Sequence, residues 1–193
     1  PDLYVDMLRD LEDINTAFRP FLTNQGLTGK DALTLPDGSK LASLPKSRYK
    51  KAEIELLAGR LPDGYDGIFT TYSQLSGTAG ASRRSMLATI NEQVVFIFDE
   101  AHNAGGSQSS VGEFVRGITA SNPNGVLYSS ATFAKRPDIM GLYNKTDLAL
   151  VGESQEELEE TMRAGGLAMQ QVVSAKLTEG GQYIRREKSF EGA

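Results

Sequence analysis

Cysteine is absent from the 193 residues, and histidine occurs once. The first absence removes disulfides, thiolate nucleophiles and cysteine-based zinc sites. The second leaves no imidazole pair with which to complete a transition-metal site. Basic charge is not in excess: 20 Lys and Arg stand against 25 Asp and Glu, for a formal net charge of −5. This balance argues against a protein that holds nucleic acid by an overall positive field, so any such contact must be clustered. No apolar run approaches the length of a bilayer span, and no charged-then-apolar leader opens the chain. The expectation is a soluble, intracellular protein with no membrane partner and no secretion signal of its own.

With 39% hydrophobic residues the chain can bury a core of ordinary size, and one α/β domain is the first expectation. It opens at Pro1 inside a helical pattern and stops at Gly192-Ala193 without a terminating one, which reads as a piece of a longer polypeptide. Leu3, Met7, Leu11, Ile14 and Phe18 recur at steps of three and four, predicting an amphipathic helix closed by Pro20. From Arg19 to Pro45 the pattern weakens, and Pro36-Asp37-Gly38 marks a turn in an irregular excursion or short hairpin. Further helices are expected over 47–58, 82–90, 110–119 and 137–143, the last with proline at its start.

Gly67–Tyr72, Val94–Phe98 and Val126–Ser129 read as strands, the last two buried and Val94–Phe98 covered on both faces. This alternation of strand and helix is the rhythm of parallel βαβ units. Downstream, Ser154-Gln-Glu-Glu157 has the form of a capping box. It opens a helix to about Ala164, followed by a second helical stretch to Leu177 and a final strand over 182–190.

The stretch VVFIFDEAHNAGG, residues 94–106, ends a buried run on two acids and then the sole histidine. In an open parallel sheet the carboxyl ends of the strands border the ligand crevice, which is where Asp99 and Glu100 fall. An ionised acid there needs compensation, and Mg²⁺ with its water shell supplies it. In P-loop nucleotide hydrolases an Asp after a hydrophobic strand holds the Mg²⁺ that bridges the phosphates. Glu100, beside it, is placed to take a proton from the attacking water.

Asp99-Glu100-Ala101-His102 resembles the Walker B box of superfamily 2 helicases, in its DEAH form, and Ser130-Ala131-Thr132 resembles motif III of that superfamily. DGIFTTYSQL, FDEAHNAGG, YSSATFAKRPDIMGLY, GGQYIRREKSFEG and the opening DLYVDMLRDLEDI together resemble the Strawberry notch family, which includes helicase-methyltransferase fusions of phages and plasmids. The resemblance spans most of the chain. It implies a truncated first RecA-like motor domain over 1–193, an α/β P-loop NTPase fold with a mainly parallel sheet flanked by helices. Its core strands would fall within about 67–132, with a helical and strand extension over 154–193. It also implies ATP and Mg²⁺ as cofactors, DNA as a partner and a second RecA-like domain in the rest of the parent chain, which in the fusions also carries a methyltransferase domain. Catalytic roles would fall to Asp99, Glu100, His102, Ser130 and Thr132, with His102 coupling the nucleotide site to motif III.

A phosphate-binding loop should precede Asp99, and only NQGLTGKDA, residues 24–32, offers one. A Walker A needs Gly where Asn24 stands and Ser or Thr where Asp31 stands, so Gly29-Lys30 reads as an ordinary loop. In the family the true Walker A lies upstream of the segment matched by Pro1–Ile14, so the parent would hydrolyse ATP while this piece alone does not.

The small-residue stretch from Ser76 to Ser82 runs into Arg83-Arg84. Thr78, Ser82, Arg83 and Arg84 suit phosphate oxygens of a nucleic-acid backbone, and a flexible turn with solvated arginines explains them equally well. Lys46, Arg48, Lys50 and Lys51, and Arg185, Arg186 and Lys188, read as solvated surface. Lys135 and Arg136 could face nucleotide or nucleic acid. Two other functions stand against the motor: a non-catalytic interaction or structural module, and a metal-dependent hydrolase using Asp99, Glu100 and His102. The last is weak, because adjacent acids on an extended chain point to opposite sides.

Overall fold

Three short sheets and five helices make up the described part of this computed structural model, which covers residues 2–23, 33–34, 40–41, 46–106, 108–130 and 136–184. The chain divides into two units, Pro1–Asn91 and Glu92–Ala193.

In the first unit, α1 (Asp2–Asp13) carries the predicted helical period but stops short of Phe18. Asn15 takes up the left-handed conformation two residues past its end, where asparagine is one of the few side chains tolerated, and Ile14 and Phe18 are left exposed. Strand β1 (Pro20–Leu22) pairs in parallel with β4 (Gly67–Phe69), Phe21 opposite Ile68. Parallel neighbours need a long crossover, and α2 (Lys46–Leu57) lies within it. The same crossover holds the antiparallel pair β2 (Leu33–Thr34) and β3 (Lys40–Leu41), Leu33 opposite Leu41. These flank the predicted Pro36-Asp37-Gly38 turn, which itself lies outside the described residues. After β4 the chain makes a short 3₁₀ turn over Tyr72–Leu75 and enters α3 (Ala81–Thr89).

Phe21, Tyr49, Ala52, Leu56 and Met86 form this unit's core, with Tyr65 and Ile68 packed against it. Phe21 stacks at a tilt on Tyr49 and edge-on to Tyr65, both at 5.4 Å between ring centroids. Thr23 closes the end of β1 in full burial: its amide donates to the Phe69 carbonyl at 3.1 Å and its hydroxyl to Gln74 Oε1 at 2.6 Å. The Thr23 carbonyl accepts from Tyr49 Oη at 2.7 Å and Arg83 Nη2 at 3.1 Å. The amide, hydroxyl and carbonyl of Thr23 are thus all used, as burial requires.

The second unit is built on a βαβ element: β5 (Phe96–Phe98), α4 (Ser110–Ser121) and β6 (Val126–Tyr128). The strands pair in parallel, Phe96 with Val126, Ile97 with Leu127 and Phe98 with Tyr128. The expectation that the 94–98 strand is covered on both faces is not met. Phe96, Phe98 and Tyr128 line one face in a stack spaced 5.6 and 5.8 Å. Ile97 and Leu127, pointing the other way, are 69% and 57% exposed. A pleated strand sends alternate side chains to opposite faces, and among the described residues of this unit the second face has no covering layer.

A 3₁₀ segment, Pro137–Tyr143, buries Ile139, Met140, Leu142 and Tyr143, and α5 (Gln155–Glu179) packs against it. Ser154 caps α5, its hydroxyl accepting the Glu157 amide at 3.2 Å, and the Glu157 carboxylate reaches back to the Glu153 amide at 2.7 Å. The two helical stretches read from the sequence are the two halves of α5, broken at Gly166 with φ +51° and ψ −140°. A side chain at Gly166 would be strained in that conformation. Gln182–Ile184 form no strand, and the rest of the predicted final strand lies outside the described residues.

Truncating fully buried Leu56 to Ala should lower the stability of the first unit by about 3 kcal/mol, because the cavity adds to the lost transfer energy. Ser154→Ala should cost the second unit about 1 kcal/mol through the lost cap. Urea unfolding of each variant measures both, and the order of the two losses is the sharper expectation.

Candidate functional site at the carboxyl end of β5

The backbone leaves β5 under close control. Ser129 N donates to the Phe98 carbonyl at 2.9 Å, and Ala101 N donates to the Ser129 carbonyl at 2.8 Å, so the β5–β6 pairing runs on past both strand ends. Between these bonds Asp99 and Glu100 are exposed at the carboxyl edge of the sheet. Glu100 holds φ +45° and ψ +50°, a left-handed conformation that costs a non-glycine residue roughly 1 kcal/mol or more. Buried Ala101 and Ala104 then anchor a 3₁₀ turn over Ala101–Ala104 that presents His102.

His102 Nδ1 lies 3.3 Å from Glu100 Oε2 and 3.0 Å from Ser130 Oγ. The sequence-predicted residues Glu100, His102 and Ser130 are therefore brought together, with Asp99 next in the chain. A carboxylate oxygen facing Nδ1 favours a proton on that nitrogen over a bare lone pair, which it would repel. In that tautomer Ser130 Oγ accepts the same N–H. Thr132, and Lys135 with it, lie outside the described residues, as does the NQGLTGKDA loop.

Two glycines follow His102. A Cβ on Gly106 would stand 2.2 Å from Asp138 Oδ2, so the segment after the box and the start of the Pro137–Tyr143 turn are in close approach. Arg136 grips Asp138 through Nε at 3.1 Å and Nη2 at 2.5 Å, and this bonding raises its already high pKa. Arg136 is thus committed to Asp138.

The candidate nucleic-acid residues lie in the other unit. Thr78 is exposed, and Ser82 Oγ donates to Glu53 Oε1 at 3.2 Å. Arg83 serves the buried Thr23 carbonyl, while Arg84 Nη1 donates to the carbonyls of Leu75 and Gly77, the latter at 2.9 Å. Both guanidiniums staple their own loop to the fold. The sequence signal could not have disclosed this, because the acceptors are main-chain atoms.

Beneath Ser130, Tyr128 and Tyr143 meet edge-on at 5.1 Å. Burial pushes the Tyr128 hydroxyl up to about 12, against the opposing effects of the Thr119 side chain and the Lys145 backbone. The Tyr143 hydroxyl is raised in the same direction by burial, with the Ser130 side chain opposing. A hollow lined by Glu156, Glu159, Glu160, Arg163 and Ala164 lies on α5 and includes none of the strand-end residues.

A βαβ element with an acid pair at the carboxyl end of its first strand places the chain in the class of α/β nucleotide-binding proteins. The particular family follows from sequence comparison: the profile of the P-loop containing NTP hydrolase pore-1 family matches residues 1–193, and the chain belongs to that family. Its fold is accordingly that of a P-loop NTPase, and its family is one of nucleotide hydrolases. No curated protein and no solved structure matches it.

Raised in the folded state from 10 to about 12, the Tyr128 pKa links stability to alkaline pH. The contribution is fully present below pH 10 and is lost as pH rises through the folded value, because the unfolded chain releases its proton first. Stability should therefore fall between pH 10 and 12 more steeply in the wild type than in Tyr128→Phe. Urea midpoints measured across that window check the difference, and parallel curves would contradict it.

Proposed function

We propose that the strand-end cluster is the Walker B half of an ATP-hydrolysing site in a superfamily 2 DNA motor of the Strawberry notch type. Asp99 holds Mg²⁺ through water, Glu100 acts as general base toward the attacking water, and His102 links the box to Ser130 and, in the family pattern, Thr132. The observation that carries this reading is the 3.0 Å contact of His102 Nδ1 with Ser130 Oγ, which joins the two segments that resemble the DEAH box and motif III.

The donor set bears on the cation. No group of three or more His, Asp or Glu able to hold a metal ion occurs among the described residues. Two exposed carboxylates suit Mg²⁺ in the mode where phosphates and water fill most of its octahedron, and do not suit a cage built from protein alone. Bound there, Mg²⁺ would neutralise charge on the phosphates. The Glu100 carboxylate, held from one side by the His102 N–H, keeps its other oxygen for a water proton.

None of the 193 residues forms a GxxxxGK[ST] loop, so on this reading the phosphate cradle and the second motor domain come from chain outside them. DNA is the proposed partner, through the Ser76–Ser82 loop that Arg83 and Arg84 hold in place, with the exposed Thr78 hydroxyl offered to the backbone.

ATP turnover of the full-length protein, with and without DNA, tests the reading. Turnover should be stimulated by DNA, fall roughly 100-fold or more in Glu100→Gln with nucleotide binding retained, and be absent from the 193-residue chain alone. Unchanged turnover in Glu100→Gln, or none in the full-length protein, would leave a non-catalytic interaction module instead.

A further inference from the structure

The turn that presents His102 is held at both ends. At its start Ala101 N donates to the Ser129 carbonyl at 2.8 Å; at its close Ala104 is buried and the chain runs into Gly105 and Gly106. Gly106 is caught between two elements. On one side its carbonyl accepts the Ser109 amide at 3.0 Å and faces the first turn of α4, where a Cβ on Gly112 would stand 2.6 Å from it. On the other side a Cβ on Gly106 would stand 2.2 Å from Asp138 Oδ2 and 3.4 Å from Arg136 Nη2. The Asp138 carboxylate therefore lies directly against the glycine backbone.

That carboxylate is braced. Arg136 engages both of its oxygens, Nε on Oδ1 at 3.1 Å and Nη2 on Oδ2 at 2.5 Å, across Pro137, whose ring fixes φ. Ile139 and Met140, each 1% exposed, anchor the chain that follows. With Arg136 55% and Asp138 33% exposed, the pair adds little to global stability, so its consequence is one of placement. The segment that follows Ser130 thus meets the segment that follows His102 a second time, Asp138 against Gly106.

We propose that the Arg136–Asp138 pair is a positioning element for His102: braced by the guanidinium, the Asp138 carboxylate backs Gly106 and so fixes the His102 turn against Glu100 and Ser130. The ring contacts, 3.3 Å to Glu100 Oε2 and 3.0 Å to Ser130 Oγ, have little slack. A displacement of about 1 Å at the turn carries both beyond hydrogen-bond reach. For its catalytic meaning the proposal rests on the assignment of Glu100 as general base; the placement of the ring does not.

The single histidine makes that placement directly readable, as the carbon-bound ring proton resonances of His102 in the 193-residue chain. Asp138→Ala and Arg136→Gln should each shift them. Gly106→Ala, which alters no charge, should shift them as well, whereas Ser154→Ala, which removes a helix cap in the same unit, should leave them in place. In the full-length protein Asp138→Ala should lower kcat roughly tenfold or more with KM for ATP in place, because geometry is lost while nucleotide contacts are kept. Gly106→Ala should do the same only while Asp138 is present. In an Asp138→Ala background, where the colliding oxygen is gone, the added methyl should change kcat less than about twofold.

Unshifted ring resonances in folded Asp138→Ala and Arg136→Gln chains overturn the proposal, as does a shift of the same size from Ser154→Ala. An equal kcat loss from Gly106→Ala in both backgrounds overturns it too, and so does a kcat unmoved by Asp138→Ala in a protein whose turnover depends on Glu100. Should Gly106→Ala fail to fold, the two ion-pair variants decide alone. Failure of the functional assignment reads differently, as ATP turnover indifferent to Glu100→Gln while the ring resonances still move.

Discussion

Parallel registration of β5 with β6 is the constraint on which the site depends. Phe98 opposite Tyr128 fixes where each strand ends, and the bonds from Ser129 N to Phe98 O and from Ala101 N to Ser129 O carry the pairing past those ends. Ser130 is thereby delivered beside His102, although 28 residues separate them. A slip of one residue would turn every side chain of the strand to the opposite face and break the aromatic stack of Phe96, Phe98 and Tyr128 together with the polar cluster. Packing and chemistry are thus set by the same few hydrogen bonds. Unfavourable backbone at Glu100 is held in place by the same arrangement, since Ala101, immediately after it, is both buried and bonded.

Much of this was legible in the residues. Helices α2, α3, α4 and the two halves of α5 lie within a few residues of where apolar spacing, the Ser154 cap and the glycines put them, because those signals are local. Strands β4, β5 and β6 fall where apolar runs put them but are shorter than those runs, Val94 and Val95 preceding β5 without joining it, whereas β1 lies where the pattern weakens and Gln182–Ile184 form no strand. Length of apolar sequence measures burial tendency, whereas strand length is set by how far a partner runs alongside. For the same reason the continuous apolar run over 94–98 suggests cover on both faces, yet Ile97 is exposed.

The site divides in the same way. The place of Asp99, Glu100, His102 and Ser130 at or just past strand ends marks them in the sequence, and Glu100 and Ser130 converge on Nδ1 of His102. Arg83, Arg84 and Arg136 looked available for phosphates in the sequence. Backbone carbonyls engage the first two and Asp138 the third, and such partners become visible only once the chain is folded.

The central claim is that the carboxyl end of β5 meets the phosphates of a nucleotide. A structure of the full-length protein with Mg²⁺ and a non-hydrolysable ATP analogue tests it most directly. The account requires the terminal phosphate beside β5, with Asp99 bonded to a water of the metal's shell and Glu100 in hydrogen-bond reach of a water in line with that phosphate. Nucleotide bound elsewhere, with Asp99 and Glu100 facing only solvent, would contradict it.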